Sequence, residues 1–156
     1  MSAVEHFKKI AVGDVITGNP FTPAKETIKA FAEASLDFNP LHFDTEFMKR
    51  DFGKTNFGGE VIMHGMSNFS LITRTLTDWL IDKEACHRRL ETRWLKPVHP
   101  GDTITAIAVV SDKVETVQSN WVLFDIEVTN QKGDMIATGQ AMAEFPDVFP
   151  WGPPAM

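Results

Sequence analysis

Cysteine and tyrosine are almost missing from this chain of 156 residues, which has one cysteine, Cys86, and no tyrosine. One cysteine excludes an intramolecular disulfide framework, a CxxC redox pair and the multi-cysteine zinc sites, and it favours a reducing compartment. Without tyrosine, proton transfer at any catalytic site must be carried out by histidine, aspartate, glutamate or lysine.

Positive charge and long apolar runs are scarce as well. Lysine and arginine number 15 against 21 aspartates and glutamates, which gives a formal net charge of −6. Scattered basic residues in an acidic chain do not form the electrostatic footprint of a nucleic-acid binder. No apolar run approaches the roughly 18 residues of a membrane span, and residues 1–13 lack the apolar core of a secretion signal. We therefore expect a cytoplasmic protein without a nucleic-acid or membrane partner.

The composition is that of one globular domain, with 43% hydrophobic and 23% charged residues. The length also suits a single domain, which we assign to residues 1–156. The one proline-rich stretch, 146–156, is predicted to be an extended C-terminal tail that packs through Phe149 and Trp151.

In the first half of the chain, apolar residues have helical spacing. Thr22 and Pro23 resemble an N-cap followed by proline at the first helical position. The predicted helix ends before Pro40. Its apolar stripe consists of Ile28, Phe31, Ala32 and Leu36. One or two helical turns are predicted over 45–50, and the glycines of 52–59 predict a loop.

A second helix is predicted from Gly65, and its apolar residues recur at intervals of three and four. They are Met66, Phe69, Thr73, Leu76 and Leu80. Beyond about His87 the period changes to two, which is typical of strands. Four antiparallel strands are predicted over 93–96, 103–111, 119–130 and 135–145. This order indicates an α+β fold in which a sheet wraps around the buried second helix.

The first candidate site follows the first helix, where Asp37 and His42 flank Asn39 and Pro40. Proline fixes its own φ and favours an extended Asn39, so the carboxylate and the imidazole can point into one space. Two groups that bind a single water can divide the removal and the supply of a proton. The alternative is an Asx turn that closes the helix, with a structural His42. A metal site is disfavoured because Asp37, Asn39 and His42 lack a second histidine or a cysteine.

The second candidate site is the start of the second helix, at His64 and Gly65. A glycine there allows a ligand close to backbone N–H groups, and the partial positive charge of a helix N-terminus suits an oxyanion. Ser70 shares a helix face with Met66, so its hydroxyl could reach the same cavity. The alternative is an ordinary first-turn glycine and a serine that bonds back to the preceding turn.

Three segments together resemble one family. They are FAEASLDFNPLHFD at 31–44, FGGEVIMHGM at 57–66 and RWLKPV at 93–98. In this order, spread over roughly residues 14 to 145, they are similar to the MaoC-like family of (R)-specific enoyl-CoA hydratases. One departure is Leu36, where many members have glycine before the aspartate.

The resemblance implies a hotdog fold: a single α+β domain with an antiparallel sheet around a long central helix, and an overhanging helical segment that carries the catalytic loop. It also implies a homodimer or a dimer of dimers in which sheets join. The implied reaction is reversible hydration of a trans-2-enoyl-CoA to the (R)-3-hydroxyacyl-CoA. Coenzyme A belongs to the substrate, and neither a cofactor nor a metal is expected.

The resemblance also implies site residues. Asp37, as base, and His42, as donor to C2, would share the water, although the sequence leaves the direction open. The Gly65 amide would hold the thioester oxygen, Asn39 would orient the loop, and Ser70 would bond His42 or the water. The expected substrate-binding residues are Phe38, Phe57, His64, Met66, Arg93 and Lys96.

Other functions remain open at this point. Hotdog proteins also include acyl-CoA thioesterases and dehydratases of 3-hydroxyacyl carrier proteins, and a non-catalytic acyl-CoA-binding subunit is a further alternative. A dicarboxylic enoyl thioester is another possible substrate.

Overall fold

The structure is a computed structural model that describes residues 1–117 and 119–147. In these ranges the α-helices are α1 (Ala3–Lys9), α2 (Lys25–Ser35), α3 (Thr45–Met48), α4 (Asp51–Phe57) and α5 (Gly65–Leu80). The strands are β1 (Val15–Thr17), β2 (Cys86–Trp94), β3 (Ile104–Glu115), β4 (Ser119–Asn130) and β5 (Met135–Pro146). Short 3-10 turns span Pro40–His42 and Ile81–Lys83. The contacts predicted for Phe149 and Trp151 lie outside the described residues.

The strands form one antiparallel sheet in the order β1-β3-β4-β5-β2. Inward and outward side chains alternate along β3 and β4, as the period of two predicts. The α5 helix packs across the sheet and contacts β2 and β3. The predicted α+β architecture, with a sheet around a long helix, is confirmed. No helix of the described residues is long and apolar enough to cross a membrane.

The sheet-facing side of α5 differs from the predicted stripe. Leu76 and Leu80 are buried as predicted, and Ile72 joins them in the main apolar cluster. Met66, by contrast, is 49% exposed. Apolar residues surround much of this helix, so spacing alone does not decide which side faces the sheet. The tertiary contacts turn Asn68, rather than Met66, inward.

The overhanging segment between β1 and α5 begins with α2, which starts later than predicted. Its N-cap is Ala24, and the Thr22 hydroxyl instead bonds the Thr103 hydroxyl at 2.8 Å. The helix ends at Ser35 because Leu36 takes a left-handed conformation with φ 61°. Leu36 is 76% exposed, so its assignment to the apolar stripe was wrong.

The glycine-rich segment 52–59, predicted as a loop, lies mostly in α4. Gly53 is buried in this helix, and a Cβ there would collide with the Met48 carbonyl group at the end of α3. Gly58 ends the helix with φ 69°. The glycines thus allow close packing and a helix end, and α4 carries Phe57 toward the start of α5.

The strand β2 is longer than the predicted 93–96, because it begins at Cys86 and ends at Trp94. It pairs with β5 along its length, with one irregularity between His87 and Arg89. After Trp94, the Leu95 and Lys96 N–H groups both donate to the Ile136 carbonyl of β5. The chain then runs beside the start of α5, where the Met63 N–H donates to the Val98 carbonyl at 2.8 Å. The end of β2 therefore contributes to the candidate site.

Candidate active site

A chain of short-range hydrogen bonds shapes the loop after α2. The Asp37 carboxylate accepts the Asn39 N–H at 3.2 Å, and the Asn39 side-chain oxygen accepts the Leu41 N–H at 3.2 Å. The second bond caps the 3-10 turn that ends at His42. As a result, the His42 Nε2 and Asp37 Oδ2 atoms lie 3.8 Å apart. The Asx-turn alternative and the predicted pairing of Asp37 with His42 are thus both present in the same loop.

The tautomer of His42 follows from its second contact. Its Nδ1 lies 2.8 Å from the Ile62 carbonyl oxygen, which can only accept, so Nδ1 carries the hydrogen. A neutral ring then presents the Nε2 lone pair toward the carboxylate. The His42 side chain is 10% exposed, whereas that of Asp37 is 51% exposed. Two neighbouring acceptors, one reachable from solvent, can bind one water or share one proton between them.

His64 contacts both members of this pair from the buried side. It is 1% exposed, and its Nε2 donates to the Asp37 carbonyl at 3.2 Å. Its ring stacks on His42 with 3.6 Å between ring centroids, and Phe31 packs against it at 5.0 Å. Burial lowers the pKa of His64, with a smaller contribution from His42. His64 is therefore a neutral platform that fixes the orientation of His42.

The sequence disfavoured a metal site because no second histidine lies near Asp37 and His42 along the chain, but the fold brings His64 next to them. One ligand atom from each of Asp37, His42 and His64 lies within 4.8 Å of the others. The two imidazoles are nearly parallel, with an interplanar angle of 23°. Nearly parallel stacked rings direct their in-plane lone pairs side by side, whereas a metal needs lone pairs that converge. The arrangement fits proton transfer better than metal binding.

Gly65 opens α5 directly against Trp94. The Gly65 carbonyl accepts the indole N–H of Trp94 at 2.9 Å. A Cβ at position 65 would lie 2.9–3.2 Å from atoms of the indole ring, so only glycine allows this contact. N–H groups in the first turn of a helix have no intrahelical acceptor. The Gly65 amide is thus available to an oxygen atom of a ligand.

A cavity of about 320 Å³ borders His42 and Gly65, whereas Asp37, Asn39 and His64 do not line it. Of the predicted site residues it is lined by His42, Phe57, Gly65 and Lys96. The Lys96 ammonium also pairs with Asp134 at 2.6 Å. Lining residues outside the predicted set are Ile62, Met63, Asn68, Trp94, Leu95, Pro97 and Val98.

Four further predicted residues do not line this cavity. Ser70 donates to the Met66 carbonyl at 3.0 Å and lines a second cavity, of about 410 Å³, between α2 and α5. Arg93 is exposed and lines a shallow groove with Glu91 and Asp125. Phe38 and Met66 are 57% and 49% exposed.

Two of the lining residues outside the predicted set, Trp94 and Asn68, carry polar groups. Trp94 belongs to the RWLKPV segment, but its bond to Gly65 spans 29 positions and has no local signal. Asn68 did have a signal, since it is a polar residue on the sheet-facing side of an amphipathic helix. A prediction that placed this side of α5 against the sheet would have identified Asn68 as a buried polar residue.

The lowered pKa of His64 predicts that stability falls on mild acidification. In the unfolded chain His64 binds a proton near pH 6.5, whereas in the folded protein its lowered pKa keeps the ring neutral to lower pH. Protonation therefore favours the unfolded state as the pH falls below 6.5. His87, whose pKa burial also lowers, acts in the same direction. We expect a smaller free energy of unfolding in urea at pH 5.5 than at pH 7.5, and a smaller difference for His64→Gln. The His87→Gln variant serves as the control that keeps the His64 contribution; an unchanged pH dependence in His64→Gln contradicts this account.

Comparisons with known proteins found one matching family and several similar proteins. Residues 7–132 match the protein family described as "MaoC like domain". The mitochondrial 3-hydroxyacyl-[acyl-carrier-protein] dehydratase of Arabidopsis thaliana is 29% identical over 94% of this chain and 84% of its own length. An (R)-specific enoyl-CoA hydratase of Aeromonas caviae is 30% identical over 76% of this chain and 84% of its own length. The solved structure of an (R)-hydratase from A. caviae superimposes with a TM-score of 0.75 at 27% identity, covering 89% of this chain and 99% of that one.

Proposed function

The chain belongs to the MaoC-like domain family of hydratases and dehydratases and has its hotdog fold, and from this premise we propose that it reversibly hydrates trans-2-enoyl-CoA to (R)-3-hydroxyacyl-CoA. The observation that carries the proposal is the 3.8 Å separation of the Asp37 carboxylate and His42 Nε2 beside the cavity of Gly65. That spacing leaves both groups within reach of one water molecule.

The proton balance of the reaction requires the pair to begin with one proton. In our proposal His42 carries it on Nε2, while Nδ1 keeps its bond to the Ile62 carbonyl. Asp37 takes a proton from the water as the water oxygen bonds to C3, and His42 delivers its own proton to C2. The pair again holds one proton, now on the carboxyl group of Asp37, and its return to His42 over the short separation completes the cycle.

Negative charge develops on the thioester oxygen between these two steps. The Gly65 N–H is the proposed donor to this oxygen, supported by the helix N-terminus behind it. Lys96 lines the same cavity and is the proposed cation nearest the coenzyme arm. The chemistry transfers only protons and water, so we propose that no cofactor or metal takes part.

A second candidate is dehydration of 3-hydroxyacyl groups on an acyl carrier protein, favoured by the similarity to the A. thaliana dehydratase. The reaction is the same equilibrium in reverse, and the carrier presents the same thioester arm as coenzyme A. Rates with matched coenzyme A and carrier-protein thioesters distinguish the two candidates.

The proposed assembly is a homodimer. The β2 strand lies at one end of the sheet order and pairs only with β5 in the described part of the chain. An exposed strand edge of this kind is a template for pairing with another chain. Two β2 edges would join two sheets into one.

Incubation with crotonyl-CoA tests the proposed function. We expect loss of the conjugated enoyl thioester absorbance, formation of the (R)-3-hydroxybutyryl thioester, and no release of free thiol. Free thiol would instead identify a thioesterase. Absence of turnover with both coenzyme A and carrier-protein thioesters, together with binding of butyryl-CoA, would identify a non-catalytic binding subunit.

A further inference from the structure

Asn68 is a buried polar residue at the candidate site. It lies one turn into α5 and is 3% exposed. Its side-chain oxygen is buried and has no hydrogen-bond partner among the described residues. Asn68 lines the same cavity as His42 and Gly65.

Folding does not explain this residue. The other buried polar residue on the same side of α5, Thr75, satisfies its hydroxyl by donating to the Leu71 carbonyl at 3.0 Å. Asn68 makes no equivalent bond, and an unsatisfied buried amide destabilises a fold. A polar group that is costly in the free protein and borders the active cavity is expected to pair with a ligand.

We propose that Asn68 binds the secondary amide that follows the thioester sulfur in the pantetheine arm of the substrate. This inference rests on the proposed function. In the arm, three atoms separate that amide nitrogen from the thioester carbonyl carbon, a reach comparable with the pitch of one helical turn. Asn68 follows Gly65 by three positions on one helix, so the two residues lie about one turn apart on the same face.

The hydrogen-bonding capacity of Asn68 selects an amide over a charged acyl group. The buried, unpaired side-chain oxygen of Asn68 requires a donor. The N–H of a secondary amide supplies one, whereas a carboxylate on the acyl chain would leave the oxygen unpaired. Lys96 lines the same cavity and provides a cation on the route of the arm. The second cavity, between α2 and α5, has an almost wholly apolar lining and suits an alkyl chain instead.

Three crotonyl thioesters test the proposal, namely those of coenzyme A, N-acetylcysteamine and butanethiol. The first two carry the amide at the proposed position, and the third lacks it. We expect Asn68→Leu to lower kcat/KM by about 10- to 100-fold with the first two and by less than about 2-fold with the third. Thr75→Val is the matched control, because it removes a buried polar group that bonds only its own helix, and it should show no such dependence on substrate.

Two further measurements separate this proposal from a structural role and from the proposed function. Asn68→Leu should melt at the same or a higher temperature than the wild type, because it removes an unpaired buried amide. It should also weaken binding of butyryl-CoA, a saturated thioester that cannot be hydrated, by about 10- to 100-fold in calorimetry.

The outcomes divide as follows. Equal losses with and without the substrate amide, or no loss at all, overturn the role of Asn68 and leave the hydratase function intact. Asn68-dependent binding of butyryl-CoA without turnover of any enoyl thioester supports the role of Asn68 and overturns the hydratase function. Absence of both turnover and binding overturns both.

Discussion

Asp37→Asn and His42→Gln are each expected to lower the rate of crotonyl-CoA hydration by about 100- to 10,000-fold. The introduced asparagine cannot take a proton from water, and the introduced glutamine cannot deliver one to C2. Because the two residues act on one water as a unit, the double variant should be little slower than either single variant. Steady-state kcat from the enoyl absorbance is the measurement.

The fold should survive these changes. The Asp37→Asn side chain retains an oxygen that can accept the Asn39 N–H, the bond that now holds the loop at 3.2 Å. Asp44→Asn is a matched control, since Asp44 is a nearby carboxylate that caps α3 by accepting the Phe47 N–H at 2.9 Å. Asp44→Asn should keep kcat within about 3-fold of the wild type, a much smaller decrease than the removal of a catalytic acid or base causes. A folded Asp37→Asn protein with near-normal kcat would disprove the assignment of the base.

Gly65→Ala is expected to lower kcat by about 100- to 1,000-fold, the usual effect of losing one oxyanion donor. The new Cβ would lie 2.9–3.2 Å from the Trp94 indole, so either the ring or the start of α5 must move. Movement of the helix start would shift the Gly65 N–H away from the thioester oxygen. The effect should fall on kcat more than on KM, because the interaction strengthens in the transition state.

Trp94 provides the test of that explanation. Trp94→Ala removes the ring that the new Cβ would contact, so the Gly65→Ala, Trp94→Ala double variant should be more active than the two separate losses predict. Trp94→Phe removes only the 2.9 Å bond to the Gly65 carbonyl and isolates its contribution. Strictly additive effects would show that the Gly65 result has another cause than this contact.

Much of the site follows from local sequence. Asn39 and Pro40 shape a turn through bonds that span two residues, so the approach of Asp37 to His42 was predictable from their spacing. The change of period from helical to alternating likewise predicted α5 and the antiparallel strands, because both patterns reflect which side chains leave water. The family resemblance rested on these same local segments.

Contacts between distant segments decided the rest. The glycines of 52–59 indicated a loop, yet the packing of Gly53 against Met48 in a neighbouring helix allows a helix there. The stack of His42 on His64, and the bond from Trp94 to Gly65, join residues 22 and 29 positions apart. The same packing sets the rotation of α5, which turns Asn68 toward the active cavity and Ser70 toward the other one. Local sequence determined which groups this protein carries. Only the packing of helix on sheet, which is driven by the removal of apolar surface from water, decided which of them meet.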